Sequence, residues 1–459
     1  MLEGVRHIHM IGIAGAGMRA IADILIDKGF RVSGSDISES GLTERFRTRG
    51  AVVHIGHDAS YVAGADVVIR STAIHEDNPE LEAAVAAGIP ILHRSDIVRD
   101  IIDSAEGIAV AGAHGKTTVT SMIGQVFMEG EADPTIIIGG EVDYLDGNSR
   151  LGKGGYAVAE ADESDGSFLS LSPTIAVVTN VEEDHMDYYG TKERLHDAFV
   201  EFVNHVKENG RAVLCGDSDE LRALLPRMRG TIITYGAGAD NTYRYTNVRT
   251  EGIEQVFEIF RGEDLLCEIR LRVPGLHNVS NATATFVTAY EAGISVEAIR
   301  SALLKFTGAK RRFETKGIFD DIWVVDDYAH HPTEVRATLE AAKAMGTHRI
   351  VCVFQPHRYT RTAHLLEEFA RAFEAADEVY FTEIYTAGEE PIPGIDGHSI
   401  PNEMKRLTGK EAGYIERLDD VPAVLSERLR SGDLLITMGA GVLNRYGPLI
   451  LERLKENAR

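Results

Sequence analysis

The chain has 459 residues, of which 44% are hydrophobic and 26% charged, and its formal net charge is −24. At about 150 residues per domain, this length predicts about three domains. The negative net charge argues against binding nucleic acid or anionic membranes through a broad basic face. We expect a cytoplasmic protein, because no apolar run reaches the roughly 18 residues of a membrane span and the N-terminus lacks a signal-peptide pattern. The three scattered cysteines have no metal-ligand spacing, and their odd number argues against a disulfide framework.

The first predicted unit is a strand, a glycine-rich turn, a helix and a second strand. Residues 6–12 predict the first strand, residues 12–17 the turn, and residues 30–35 the second strand, which delivers Asp36. An acidic residue at that point is typical of a nucleotide-ribose contact. The glycine spacing is G-x-x-G-x-G and differs from the dinucleotide fingerprint G-x-G-x-x-G, so an NAD-dependent oxidoreductase is only a weak alternative. A later strand, 67–71, ends in Ser71 and Thr72, which could also contact a ligand.

Residues 107–118 read GIAVAGAHGKTT and predict a phosphate-binding loop between a buried strand and a helix. Backbone N–H groups of such a turn and the helix N-terminus bind phosphate oxygens. Lys116 would add a positive charge and Thr117 a hydroxyl ligand for Mg²⁺. We therefore expect ATP binding here. The alternative is a glycine-rich turn with an exposed lysine.

Two later strand ends carry acidic residues and a histidine. The strand 157–159 leads into Glu160, Asp162 and Glu163, and the strand 175–178 leads toward His185. Ligands of open α/β sheets bind at the carboxyl ends of the strands. We therefore expect metal to bridge the nucleotide to these side chains. A solvated acidic loop or a helix N-cap is the alternative.

The remaining sequence predicts a further doubly wound sheet. A helix of small apolar residues is expected over 282–289, and a third unit begins after residue 306. Strands are expected over 323–327, 350–354, 379–384 and 433–438, with a helix from Pro332 to Ala344. Arg358 and Arg361 are three residues apart, so we expect them on one face of a helical turn, where they could grip a carboxylate. The alternative is a solvated basic turn.

Taken in order, these motifs resemble the Mur ligases of bacterial cell-wall synthesis over almost the whole chain. The segments that carry the resemblance are 12–18 (GIAGAGM), 112–118 (GAHGKTT), 160–165 (EADESD), 184–187 (DHMD), 275–278 (GLHN) with Asn281, 311–313 (RRF), 326–332 (DDYAHHP), 354–361 (FQPHRYTR) and 387–393 (AGEEPIP). The last three favour the branch of the family that joins L-alanine to UDP-N-acetylmuramate.

The resemblance implies an α/β fold of three domains. They are an N-terminal Rossmann-like UDP-sugar-binding sheet (1–103), a central P-loop ATPase sheet with extra strands (104–308) and a C-terminal Rossmann-like amino-acid-binding sheet (309–459). It also implies ATP-dependent ligation of L-alanine to the lactyl carboxylate of UDP-N-acetylmuramate through an acyl phosphate, with ATP and Mg²⁺ as cofactors. The expected partners are these small molecules, and the expected state is a monomer or homodimer.

The resemblance also implies roles for individual residues. The UDP-sugar contacts would be Gly12, Ala14, Gly15, Ala16, Gly17, Met18, Asp36, Ser71 and Thr72. The ATP contacts would be Gly112, His114, Gly115, Lys116, Thr117, Thr118, Asn278, Asn281, Arg312 and Asp327. The metal ligands would be Thr117, Glu163 and His185. The alanine contacts would be Tyr328, His330, Arg358 and Arg361. The catalytic residues would be Lys116, His185 and His330, the last of which could orient the amine or accept its proton.

Two further interpretations share parts of this pattern. A related Mur-type ligase that adds a recycled peptide to UDP-N-acetylmuramate would carry the same ATP-binding core. A regulatory P-loop ATPase with no small-molecule acceptor would hydrolyse ATP whether or not a UDP-sugar is present. Release of phosphate with and without each substrate distinguishes these possibilities.

Overall fold

The structure is a computed structural model that describes residues 2–346 and 348–458. It confirms the predicted α/β class, with three mostly parallel sheets. The chain forms two compact units. The first unit holds the residues up to Thr246 with Glu258–Cys267 and Ser280–Leu304, and the second holds Asn247–Phe257, Glu268–Val279 and the residues from Lys305 onward. No helix within the described residues is both long and apolar enough to cross a membrane.

The first sheet consists of five parallel strands. They are β1 (His7–Ile11), β2 (Arg31–Asp36), β3 (Val52–Ile55), β4 (Val67–Arg70) and β5 (Ile91–His93), and their order is β3-β2-β1-β4-β5. The helices are α1 (Ala16–Asp27), α2 (Gly41–Thr48), α3 (Pro79–Ala87) and α4 (Arg94–Asp103). Ile11 pairs with Ser35, and Met10 with Ile69. The residues that follow β1, β2 and β4 therefore meet at one edge of the sheet.

The second sheet contains the phosphate-loop strand. Its strands are β6 (Glu106–Ala111), β7 (Thr135–Val142), β8 (Gly147–Arg150), β9 (Tyr156–Glu160), β10 (Ile175–Val178), β11 (Arg211–Cys215), β12 (Thr231–Gly236), β13 (Tyr243–Glu251), β14 (Glu254–Arg261) and β15 (Asp264–Leu271), in the order β15-β14-β13-β12-β11-β10-β6-β9-β7-β8. The helices are α5 (Lys116–Glu129), α6 (Met186–Tyr189), α7 (Lys192–Asn204), α8 (Asp219–Leu224), α9 (Leu276–Glu291) and α10 (Val296–Lys305). Val110 pairs with both Val177 and Glu160, so the ends of β6, β9 and β10 are adjacent.

The third sheet is the doubly wound sheet expected at the C-terminal end. Its strands are β16 (Glu314–Phe319), β17 (Ile322–Asp327), β18 (Arg349–Phe354), β19 (Glu378–Phe381), β20 (Gly413–Tyr414) and β21 (Asp433–Met438), in the order β16-β17-β21-β18-β19-β20. Its helices are α11 (Pro332–Ala344), α12 (Tyr359–His364), α13 (Leu366–Ala372), α14 (Ser399–Thr408), α15 (Val421–Ser426) and α16 (Tyr446–Asn457). Only β16 runs antiparallel to its neighbour. Apolar side chains on each face of this sheet form separate core clusters with the helices.

Several element boundaries differ from the prediction, while the helix from Pro332 to Ala344 is confirmed. The helix expected from residue 282 begins at Leu276, directly after Gly275 turns the chain with a φ of +100°. The strand expected over 379–384 ends at Phe381, because its outer neighbour β20 offers partners only to Tyr380 and Phe381.

A buried carboxylate joins four elements of the first sheet. Glu80 on α3 is fully buried and accepts hydrogen bonds from His9 Nε2 at 2.6 Å, His57 Nδ1 at 2.6 Å and Ser35 Oγ at 2.9 Å. Burial alone would raise the pKa of Glu80, but these hydrogen bonds outweigh it and the pKa is lowered. Because an unpaired buried charge is costly, these partners fix α3 against β1, β2 and the segment after β3.

We expect Glu80→Gln to weaken this part of the fold. The amide keeps the size of the side chain but cannot accept three hydrogen bonds as a carboxylate does, so the local free energy of opening should fall by about 1–3 kcal/mol. Hydrogen exchange of the β1 and β2 amides measures it. Glu82→Gln, at an exposed position of the same helix, is the matched control. Equal protection in both variants would contradict the role given to Glu80.

Candidate active site

The phosphate loop lies where β6, β9 and β10 end, and it is held by the residues that follow β10. Asn180 Oδ1 accepts the His114 N–H at 2.9 Å, and Asn180 Nδ2 donates to the His114 carbonyl at 3.0 Å. The Thr179 hydroxyl donates to the same carbonyl. Gly112 has a φ of +130°, and a Cβ there would collide with the Thr179 hydroxyl. The loop therefore requires glycine at position 112, because its φ disfavours other residues and because no room is left for a side chain.

Lys116, whose side chain is 18% exposed, forms an ion pair with the buried Glu163 at this edge. Lys116 Nζ donates to Glu163 Oε1 at 2.6 Å and to the Gly112 carbonyl at 2.6 Å. Burial alone would lower the pKa of Lys116, but the Glu163 charge outweighs it and the pKa is raised. Glu163 Oε2 is also buried, and no described residue donates a hydrogen bond to it. His185 Nε2 lies 4.0 Å from Glu163 Oε1. An unpaired, buried carboxylate oxygen beside an imidazole is the donor set that a divalent cation would satisfy.

The Thr117 hydroxyl donates to Glu160 Oε2 at 3.3 Å, and the other oxygen of Glu160 accepts the Gly139 N–H at 2.6 Å. Burial raises the pKa of Glu160, although the Gly139 N–H and the Lys116 charge oppose that shift. Glu163 therefore contacts Lys116 and Glu160 contacts Thr117, so two carboxylates lie beside the start of α5.

Other predicted residues of the loop also have defined places. His114 Nε2 lies 3.3 Å from Glu182 Oε2, and Thr118 is buried in the first turn of α5. Asn281 approaches the loop so closely that a Cβ on Gly115 would lie 2.7 Å from Asn281 Oδ1. Asn278 is part of the second unit and donates to the Pro274 carbonyl at 2.7 Å.

Residues predicted to hold the UDP-sugar surround a cavity of about 390 Å³ in the first unit. The lining includes predicted sugar contacts, one lysine of the phosphate loop and two acids that follow β9, namely Gly15, Ala16, Gly17, Met18, Ser71, Thr72, Lys116, Glu160 and Asp162. The start of the turn is fixed by β2, because the Gly12 N–H donates to the Ser35 carbonyl and the Ala14 N–H to Asp36 Oδ2. Six of the predicted sugar contacts and Lys116 thus line one cavity, whereas Gly12, Ala14 and Asp36 lie outside its lining.

In the second unit, Asp327 ends β17 and is buried beneath the following turn. Its carboxylate accepts the Phe313 N–H and the Ala329 N–H, both at 2.8 Å. Burial raises the pKa of Asp327 to about 6, against the lowering effect of Arg312. The Arg312 guanidinium lies 5.2 Å from the centre of the Tyr328 ring, a cation–π distance. Arg312, which is a predicted ATP contact together with Asp327, therefore lies beside Tyr328, a predicted alanine contact.

His330 is held as a neutral imidazole with a defined tautomer. Its Nδ1 lies 3.0 Å from the Tyr328 carbonyl, which can only accept, so Nδ1 carries the proton and Nε2 keeps its lone pair. Burial lowers the pKa of His330 to about 4, although the nearby Glu334 carboxylate opposes the shift. Glu334 also accepts the His330 N–H at 3.0 Å and lies 3.4 Å from Arg312 Nη1.

Arg358 and Arg361 lie close in sequence but not on one helical face, so that expectation is wrong. Arg358 precedes α12 with a φ of +73°, outside helical geometry, whereas Arg361 is within the helix. The Arg358 N–H donates to the Tyr385 carbonyl at 2.9 Å, a pairing outside the helix. Glu389 Oε1 binds Arg358 Nε at 2.7 Å, and Glu389 also accepts the N–H and hydroxyl of Thr360. Arg361 Nη1 donates to His357 Nδ1 at 3.2 Å. A non-glycine residue in this region of φ and ψ stores strain, which is frequent at functional sites.

The sequence does not predict the contacts that three acids near the predicted site residues make. Glu334 has a local signal, because a glutamate three residues after His331 forms a capping box at the start of α11. Glu160 was noted at the strand end but not as the partner of Thr117. Glu389 is 29 residues from its partner Thr360, and no local pattern joins them.

Three family models match the chain. The model described as "Mur ligase family, catalytic domain" matches residues 7–106, "Mur ligase middle domain" matches 110–289, and "Mur ligase, glutamate ligase domain" matches 311–441. Together they follow the order of the three sheets.

Individual relatives match over the full length. The chain is 44% identical to a UDP-N-acetylmuramate–L-alanine ligase of Geotalea daltonii, covering 99% of this chain and all of that protein. The solved UDP-N-acetylmuramate-alanine ligase MurC of Thermotoga maritima is 31% identical, with a TM-score of 0.84 over 98% of this chain and 99% of that one. A murein peptide ligase of Psychrobacter arcticus has a TM-score of 0.71 over 98% of each chain but only 24% identity, so it supports the fold alone. The chain therefore belongs to the Mur ligase family.

Proposed function

We propose that the chain joins L-alanine to the lactyl carboxylate of UDP-N-acetylmuramate, with conversion of ATP to ADP and phosphate. The observation that carries the proposal is the phosphate loop whose Lys116 pairs with a buried carboxylate, in a chain that matches an alanine ligase over 99% of its length. The alternative peptide ligase resembles this chain at lower identity. ATP and a nucleotide sugar are substrates that a bacterial cytoplasmic enzyme would use. We also propose that the enzyme is a monomer or homodimer.

The reaction needs activation because a carboxylate is a poor electrophile. Transfer of the γ-phosphoryl group from ATP to the lactyl carboxylate gives an acyl phosphate, whose phosphate is a good leaving group. The amine of alanine then attacks the acyl carbon, an amide bond forms, and phosphate leaves. The first step brings two anions together, so positive charge beside the reacting oxygens lowers its barrier.

In the first unit, Lys116 supplies that positive charge. Its side chain is only 18% exposed and already paired with Glu163, so its ammonium is held in place before substrate arrives. Thr117, Glu163 and His185 would hold Mg²⁺, and the fit rests on the unpaired, buried Glu163 Oε2. Bound there, Mg²⁺ supplies charge neutralisation to the phosphate oxygens. The loop amides from Gly112 to Thr118 bind phosphate oxygens directly.

In the second unit, the alanine pocket is built on Arg358, Arg361, Tyr328 and His330. The two guanidinium groups present planar donor pairs that match the carboxylate of an amino acid. His330 Nε2 keeps its lone pair, so it can accept a hydrogen bond or a proton from the amine. Arg312 and Asp327, together with Asn278, complete the set that we assign to ATP from this unit.

The first test is phosphate release. We expect release only when ATP, UDP-N-acetylmuramate and L-alanine are all present. Lys116→Ala should abolish it, because the negative charge on the transferred phosphoryl group is then no longer stabilised by the lysine ammonium. A colorimetric phosphate assay with each substrate omitted in turn, and with a tripeptide in place of alanine, distinguishes alanine ligation, peptide ligation and simple ATPase activity.

Lys153→Ala, at an exposed position, is the control for that assay and should keep normal turnover. Circular dichroism confirms that Lys116→Ala is folded. Near-normal turnover by folded Lys116→Ala would remove Lys116 from the mechanism, and release that depends on tripeptide would favour the peptide ligase.

A second expectation concerns Arg358→Lys and Arg361→Lys. Lysine keeps the charge but loses the planar fork, and a charge-assisted pair contributes about 1.5–3 kcal/mol, so the Michaelis constant for alanine should rise about 10- to 100-fold. The constants for ATP and UDP-N-acetylmuramate should change little. Steady-state kinetics with each substrate varied, beside Arg371→Lys at an exposed position of α13, measures this. A loss confined to ATP would assign these arginines to the nucleotide.

A third expectation concerns the protonation of His330. Because burial lowers its pKa to about 4, the ring should stay neutral, with the proton on Nδ1, from pH 8 down to about pH 5. Long-range ¹H–¹⁵N spectra of the imidazole, assigned by comparison with His330→Gln, report the tautomer directly. Titration with a midpoint near the usual histidine value of about 6.5 would contradict the assignment.

A further inference from the structure

Arg94 lines the same cavity as six predicted sugar contacts and Lys116, and the mechanism above assigns it no role. It is the first residue of α4, directly after β5, and only 18% of its side chain is exposed. A charged side chain buried to this extent must have partners that justify the loss of water.

The two ends of the Arg94 guanidinium have different neighbours. Nη2 donates to Asp162 Oδ2 at 2.6 Å. Nη1 lies over the first turn of α1, where a Cβ on Gly17 would be only 3.0 Å away. Glycine at position 17 therefore leaves the space that the guanidinium occupies. No described residue accepts a hydrogen bond from Nη1, and α1 has neither a side-chain cap nor an acidic residue in its first turn.

Asp162 connects Arg94 to the acidic segment 160–165 that follows β9 of the second sheet. It lies between Glu160 and Glu163, and its Oδ1 also accepts the Ser164 N–H at 3.1 Å. Burial alone would raise the pKa of Asp162, but Arg94 and Ser164 outweigh it and lower the pKa to about 2. Asp165 Oδ2, 3.9 Å from Arg94 Nη2, is buried and receives no hydrogen bond from any residue that the structure describes. Arg94 thus supplies positive charge to the segment that presents Glu163 to Lys116.

We propose that Arg94 is a positioning residue that links binding of the nucleotide sugar to the acidic segment 160–165. Its Nη1 receives an oxygen of the substrate diphosphate at the first turn of α1, while its Nη2 holds Asp162. Arginine suits both tasks because its donors diverge within one rigid plane, whereas a lysine ammonium is a single point charge. This inference rests on the proposed function, since the diphosphate is that of the UDP-sugar.

The proposal separates the effects of two substitutions. Arg94→Ala should raise the Michaelis constant for UDP-N-acetylmuramate about tenfold or more and also lower turnover, because both contacts are lost. Asp162→Asn should lower turnover without raising that constant, because Arg94 stays available to the diphosphate. The double variant should be no slower in turnover than Arg94→Ala alone, since both changes break the same link. Arg94→Lys should recover only part of the loss.

Arg19→Ala is the matched control, because Arg19 on α1 pairs with Glu141 on β7 at 2.6 Å outside the cavity lining. It removes a comparable ion pair between the same two sheets and should leave the constant for UDP-N-acetylmuramate within about twofold of the parent value. Thermal unfolding of each variant separates folding from function.

Two results would overturn the proposal. One is an unchanged constant for UDP-N-acetylmuramate in folded Arg94→Ala, and the other is strictly additive losses of turnover in the double variant. In either case alanine-dependent phosphate release by the parent chain keeps the proposed function intact. Absence of that release in the parent chain would instead refute both.

Discussion

The ion pair between Lys116 and Glu163 is the interaction on which the candidate site depends. Glu163 is buried and the Lys116 side chain is 18% exposed, so removing Lys116 would leave a buried carboxylate without its cation, which is costly in a protein interior. The pair can exist only because β6 and β9 are parallel neighbours, so that the phosphate loop and the acidic segment leave the sheet at the same edge. The register of two strands thus sets the position of a charge, and the charge sets which ligands the edge can accept.

The other functional segments follow from the same constraint. In the first sheet, the pairing of β1 with β2 and β4 brings the glycine-rich turn, Asp36 and Ser71 to one edge. In the third sheet, β21 pairs with both β17 and β18, and the segments after β17 and β18 carry His330 and Arg358. Each sheet therefore presents polar loops at the carboxyl ends of its strands, while its faces are covered by helices.

The sequence predicted what short patterns encode. The loop 112–118 and the start of α11 at Pro332 depend on glycine, proline and capping residues within a few positions, and the structure has them. Contacts between distant residues were not predictable in this way. Arg94 and Asp162 are 68 residues apart, and Glu389 pairs with Arg358 across 31 residues of chain. Spacing favoured a helical turn at Arg358, but the Arg358 N–H donates to the distant Tyr385 carbonyl at 2.9 Å and its φ is +73°.

The distribution of charge explains how a chain of net charge −24 can have anionic substrates. Four of the candidate cations are individually matched to acids: Lys116 to Glu163, Arg94 to Asp162, Arg312 to Glu334 and Arg358 to Glu389. Each pair is close to neutral, so these cations do not create a broad positive surface that would attract nucleic acid. Each acid also fixes the direction of its cation before the substrate binds, which reduces the entropy lost on binding. Recognition of phosphate and carboxylate in this chain would therefore rely on donors held at fixed positions, and the acidic exterior opposes only long-range attraction.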